Sequence, residues 1–150
     1  MLKSTVLAIA LGFGCLALAS TASPQYVHVC SNATIAGQYG FQDSGTREVG
    51  GKLVQYDAVR TALFAGEGKH QGHGFISIGG KIKPYTSTGK FAVAGDCTFT
   101  MEITQTYTDG TPPDVAKQFG VVVMGGKEIL TIQTAEGRNQ TGKYQRMVAY

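Results

Sequence analysis

Glu67, His70 and His73 fall in one short stretch, the kind of clustering a metal site needs. Metal binding requires side chains that project to one point, and residues three apart on a strand face opposite ways. The segment from Gly66 to Gly74 is rich in glycine and reads as a hairpin tip with solvated histidines. His28 adds nothing, because it precedes Cys30 in the segment leading into the domain. No metal site is assigned. Serine sits in no Gly-x-Ser-x-Gly elbow, and Glu102, Glu128 and Asp57 have no spacing that singles out a carboxylate pair. Gly79-Gly80-Lys81 lacks the first glycine and the hydroxyl residue of a phosphate loop. No catalytic residue and no cofactor follow from these patterns.

Cys30 and Cys97 carry a clearer message. Of three cysteines, Cys15 lies in the apolar leader, which leaves an even pair in the mature chain. An even count in an exported chain reads as a disulfide, with two buried free thiols as the alternative. Neither cysteine has a partner at metal-ligand spacing. Tyr56, Arg60, Gln105 and Tyr107 are the candidate ligand-binding residues. Each shares its alternation parity with apolar neighbours, and an arginine on such a face can hold a ligand carboxylate through its guanidinium fork. The other reading puts Arg60 outward beyond a bulge, or pairs it with Asp57 or Glu102.

The elements that would position these residues are strands. From Cys97 to Thr108 one parity holds Cys97, Phe99, Met101, Ile103, Gln105 and Tyr107, and the other is mostly threonine. Strict period two predicts a long strand with one apolar face, ended by Asp109-Gly110 and Pro112-Pro113. Further strands are predicted over Ile35–Phe41, Lys52–Ala65, His73–Ile78, Lys83–Ala94, Lys117–Met124, Glu128–Thr134 and Lys143–Tyr150. The breaks between them are glycine-rich, including Gly137 to Gly142. In Lys52–Ala65, Val59, Ala62 and Leu63 also fit helical spacing, but the even-numbered apolar positions favour a strand. Phe119 to Met124 is apolar on both parities, which predicts a strand covered on both faces. The spacing predicts an all-β fold, a single antiparallel barrel of about eight strands.

Residues 1–22 have the three parts of a signal peptide: Lys3, an apolar stretch from Val6 to Ala19, and small residues at the cut after Ala22. Cleavage after Ala19 also fits, and Cys15 raises acylation as a further possibility. The apolar run is too short to span a membrane. Residues 23–34 then lead into a barrel domain over 35–150, and the expected location is secreted or periplasmic. Charged residues are 15% of the chain and the formal net charge is +3, too weak a bias for a nucleic-acid or anionic-membrane partner. Glycine, at 21 of 150 residues, is about twice its usual share.

The order of several motifs carries a resemblance. Cys30, Ile35-Ala36-Gly37-Gln38-Tyr39-Gly40-Phe41, Tyr56-Asp57-Ala58-Val59 and Gly66-Glu67-Gly68 form the first half. Gly89-Lys90-Phe91, Asp96-Cys97-Thr98, Asp109-Gly110, Phe119 to Met124 and Glu128-Ile129 form the second. Together they resemble small secreted bacterial β-barrel proteins of the allene oxide cyclase and calycin-like group. The resemblance covers nearly all the mature chain and implies a calycin-like barrel. Most members of that group carry no assigned activity, and the characterised relatives are cyclases that fold a hydrophobic substrate inside the barrel. Arg60 stands where the group commonly has glycine, and His70 and His73 stand in a hairpin usually built from small polar residues, so no catalytic residue transfers. The chain has no tryptophan, which removes the signatures of lipocalins and avidins. The expected function is noncatalytic binding of a small apolar molecule or a surface partner. A cyclase or isomerase and a barrel-type protein inhibitor are the alternatives.

Overall fold

The computed structural model describes residues 29–148. The expected signal peptide and cleavage sites, Cys15 and His28 lie outside the described residues. Alternation along Thr98–Tyr107 sets the pattern: Phe99, Met101, Ile103, Gln105 and Tyr107 are buried, while Thr100, Glu102, Thr104 and Thr106 face outward. Seven other strands bury one parity in the same way. The order is β1 (Gly37–Val49), β2 (Lys52–Phe64), β3 (Lys69–Ile78), β4 (Lys81–Val93), β5 (Thr98–Tyr107), β6 (Asp114–Val123), β7 (Glu128–Gln133) and β8 (Arg138–Arg146). Each pairs antiparallel with the next, and β8 closes on β1. The result is an all-β, eight-stranded closed barrel with no free strand edge.

Several strand boundaries differ from expectation, and polar residues are the reason. β1 continues beyond Phe41 to Val49 because ladders to β2 and β8 hold its polar second half on both sides. Gly45 is required there, since a Cβ would lie 2.0 Å from the Asn139 carbonyl oxygen. The expected break from Gly137 to Gly142 is instead the start of β8, with only Gly137 serving the turn. β3 begins at Lys69, so His70 and His73 sit on a strand and not in a hairpin tip. His70 is buried and His73 faces outward, as period two requires. Lys52–Phe64 is strand throughout, without a helical turn. The outer face of β6 is not covered by any described residue: Phe119 and Val121 pair with Ile132 and Leu130 of β7 to form an exposed apolar patch.

The two ends of the barrel differ. At one end, 3-10 turns over Asn32–Ile35 and Met124–Gly126 close the opening. Ile35 is fully buried there, and the Tyr39 hydroxyl donates to the Gly126 carbonyl. Arg146 donates to the carbonyls of Thr34, Ala36 and Gly126 at 2.8–3.2 Å, so one guanidinium ties both turns to the barrel wall. The Cys30–Cys97 disulfide secures the same end, with a Cα–Cα distance of 5.0 Å. Behind this plug lies an aromatic core centred on Phe64, which meets Tyr39, Phe91, Phe99 and Tyr144 edge to face at 5.0–6.0 Å. Such contacts add about 0.5–1.5 kcal/mol each to the burial of the rings.

The disulfide spans 67 residues of sequence, for which the chain-entropy estimate is about 4 kcal/mol. The Cys30→Ser, Cys97→Ser double variant is therefore expected to lower the free energy of unfolding by about that amount. Urea denaturation of the mature chain measures it, and an unchanged midpoint would show the bridge to be energetically idle.

Candidate functional site

Between the aromatic core and the opposite end, the barrel axis is polar. Arg60 points inward from β2 and is 5% exposed. Its Nη2 donates to the Tyr144 hydroxyl, which in turn donates to Gln118 Oε1 at 2.7 Å. The guanidinium lies over the Phe41 ring at 4.3 Å and the Tyr144 ring at 5.5 Å. Among the described residues it makes no ion pair, and its Nε has no acceptor. The two sequence-level alternatives, an outward Arg60 or a pair with Asp57 or Glu102, are therefore not what the barrel shows. A buried guanidinium is held instead by neutral oxygens and aromatic faces.

Asp43 and His70 complete this belt. Asp43 is buried on β1 and accepts from Gln133 Nε2 at 3.0 Å. Burial pushes its carboxyl up to about 6, against the opposing pulls of the Gln133 hydrogen bond and Arg60. His70 shares a hydrogen bond with the Ser87 hydroxyl at 3.1 Å. Burial, reinforced by the Arg60 charge, pushes its imidazole down to about 3, so it is neutral at pH 7. His70 is thus a core histidine whose ring packs 5.2 Å from Phe64. Among the described residues, no three His, Cys, Asp or Glu side chains group as metal ligands.

All four candidate ligand residues point inward. Tyr56, Arg60, Gln105 and Tyr107 are 1–7% exposed. They do not share one site. Tyr56, Arg60 and Gln105 lie within the polar belt, and burial pushes the Tyr56 hydroxyl well above its ordinary pKa. Tyr107 alone reaches the barrel's second end, packed 6.3 Å from Tyr85.

That second end is a mouth. The β1–β2, β3–β4, β5–β6 and β7–β8 connections all lie there. A cleft of about 660 Å³ opens over Tyr107, walled by Val49, Val54, Ile78, Pro112 and Pro113. Its volume falls in the range of small-molecule sites. The rim is charged. Arg47 and Arg138 sit directly opposite each other on β1 and β8, an arrangement that repels unless bridged. Asp114 of β6 bridges them, accepting from both at 2.7 Å. β7 has only six residues, so the ladder joining β6 to β8 stops short of the mouth and this ion triad ties the gap. Lys83 lies beside it, paired with Asp109 at 2.9 Å and 5.8 Å from the Tyr107 ring centroid.

A second concavity runs along the outside. A trough of about 810 Å³ crosses β8 and β1, between the Phe119–Ile132 patch and Val59 of β2.

Sequence reasoning missed Arg47, Arg138 and Asp114 because each lies on a polar strand end that carries no apolar alternation, and missed Asp43 because the predicted first strand stopped at Phe41. Asp43 had one signal, its shared parity with Tyr39 and Phe41, which an extended β1 would have revealed.

The two buried titrating groups act on stability in opposite directions. His70 is neutral in the fold and charged when unfolded below pH 6.5, so its contribution is lost as pH falls from 6.5 toward 3. Asp43 holds its proton in the fold up to about 6 but loses it near 3.8 when unfolded, so stability falls as pH rises from 3.8 to 6. Each slope approaches about 1.4 kcal/mol per pH unit, and between pH 4 and 6 they nearly cancel. Asp43→Asn is expected to show steeper acid destabilisation than the wild type over this window, and His70→Gln the reverse. Chemical denaturation at pH 4, 5 and 6 reads both, and parallel profiles for all three proteins would contradict the assignment.

No protein-family model, no curated protein and no solved structure matches this chain.

Proposed function

We propose that the protein is a noncatalytic binding barrel that works outside the cytoplasm and takes a small apolar molecule at its mouth. The observation that carries this reading is the apolar-walled cleft over Tyr107 at the barrel end that no 3-10 turn closes. The Cys30–Cys97 bridge fits an oxidising compartment, and the signal-like leader fits export. The resemblance to the calycin-like group supports a barrel used for binding. A cyclase acting on a substrate deep in the barrel fits less well. The axis there is occupied by Tyr39, Phe64, Phe99 and Tyr144 at core packing distances and by the Arg60 belt above them.

The outer trough favours a second reading, a protein partner that covers Phe119, Val121, Leu130 and Ile132. These four are 43–51% exposed and pair directly across β6 and β7. Contiguous exposed apolar area of this kind marks interaction surfaces.

Titration with 1-octanol, followed by amide chemical shifts, separates these readings. The mouth reading predicts saturable shifts at Val49, Val54, Ile78 and Tyr107, with Phe64 and Phe99 unmoved, and loss of those shifts in Val54→Asp. Saturable shifts confined to Phe119, Leu130 and Ile132 would favour the outer surface. No saturable shift anywhere would overturn the small-molecule reading.

A further inference from the structure

The mouth is not electrically neutral, and its imbalance specifies more than an apolar guest. Three cationic side chains, Arg47, Lys81 and Lys83, line the cleft with two carboxylates, Glu48 and Asp114, and Arg138 and Asp109 pair into the same rim. Asp114 is shared by both arginines, so one carboxylate serves two guanidinium groups. Each of those groups also keeps a buried Nη1 with no acceptor. The side chain of Arg138 is only 6% exposed. Acceptors are therefore in deficit where two arginines are fixed against each other by their strand register. Lys81, on the opposite lip of the cleft, makes no ion pair among the described residues.

Low-dielectric walls strengthen this excess. Val49, Val54, Ile78 and the two prolines give one side of the cleft an apolar wall, and such walls focus the field of the net positive lining on the space within. A cation placed there meets unpaired positive charge. An uncharged guest leaves the arginines as short of acceptors as before. An oxyanion supplies acceptors of the kind that the Nη1 groups lack, which Asp114 and the Val115 carbonyl leave without a partner.

Resting on the mouth-binding reading above, we propose that the ligand is an amphipathic anion. Its aliphatic or aromatic body lies on Val54, Ile78 and the Pro112-Pro113 wall. Its carboxylate, or an equivalent oxyanion, faces Arg47 and Lys81. Tyr107 forms the floor between the two halves, its face to the apolar body and its hydroxyl on the Arg47 side. Burial raises the pKa of that hydroxyl while the nearby Arg47 opposes the rise, so it keeps its proton at physiological pH.

The test uses three probes with one chain length and different heads: octanoate, 1-octanol and octylamine, titrated at pH 7 and low salt. The proposal predicts octanoate binding about tenfold or more tighter than octylamine, a ratio that shrinks at high salt as screening sets in. Lys81→Glu should weaken octanoate about fivefold and leave 1-octanol unchanged, with circular dichroism showing an intact barrel. Arg47→Met should weaken octanoate further. Because it disturbs the Asp114 triad, Lys81→Glu carries the test if that variant fails to fold. Octylamine binding as tightly as octanoate, or an octanoate affinity indifferent to Lys81→Glu, would overturn the anion preference while saturable 1-octanol binding kept the mouth-binding reading. Failure of all three probes would overturn both.

Discussion

A guanidinium buried on the axis of a β-barrel is the constraint around which the rest of the interior is arranged. Arg60 is charged at any physiological pH, and its neighbours answer that charge without a carboxylate in ion-pair contact. Tyr144 gives it an acceptor and passes the polarity to Gln118. Phe41 and Tyr144 give it aromatic faces. The same charge helps keep His70 neutral and restrains the rise in the Asp43 pKa. Removing an isolated charge from water is costly. The belt of Tyr, Gln, Ser and Asp side chains at this level is therefore a consequence of placing arginine on an otherwise apolar strand face.

This belt divides the barrel into halves with different duties. Below it, the aromatic core, the two 3-10 turns, Arg146 and the disulfide make a closed and rigid base. Overlapping it on the mouth side, where Tyr56 belongs to both, a smaller cluster of Tyr56, Ala58, Ile76, Tyr85 and Tyr107 supports the mouth. The larger hydrophobic cluster, the 3-10 turns and the disulfide sit at one end, and the charged rim with its exposed apolar walls sits at the other. Short β7 contributes to this asymmetry, because it leaves β6 and β8 to be joined by Asp114, Arg47 and Arg138 and not by backbone hydrogen bonds.

Much of the closed half is legible in the sequence. The alternation from Cys97 to Thr108 places Phe99, Met101 and Ile103 in the core, and cysteine counting pairs Cys30 with Cys97. Parity also puts Tyr56, Arg60, Gln105 and Tyr107 on inner faces. The mouth is harder to read. Arg47, Asp114 and Arg138 lie far apart in sequence, and only barrel closure of β8 on β1 brings them together. His70 misled for a related reason: four glycines between Gly66 and Gly74 suggest a flexible tip. Gly72 and Gly74 are instead strand positions where a Cβ would lie 2.4 and 2.1 Å from the carbonyl oxygens of Thr61 and Val59. Phe119 and Val121 misled differently, since apolar residues on both parities imply cover on both faces and no described residue covers the outer one.

The dependence of the interior on Arg60 can be measured through the groups it acts on. Replacement by methionine keeps the volume and removes the charge, and proton NMR titration of the His70 ring reads the effect directly. In the Arg60→Met protein the His70 pKa is expected to rise from about 3 while burial keeps it below 6.5, and the Asp43 pKa is expected to rise above about 6. A folded Arg60→Met barrel in which neither group moves would show that the charge organises nothing around it.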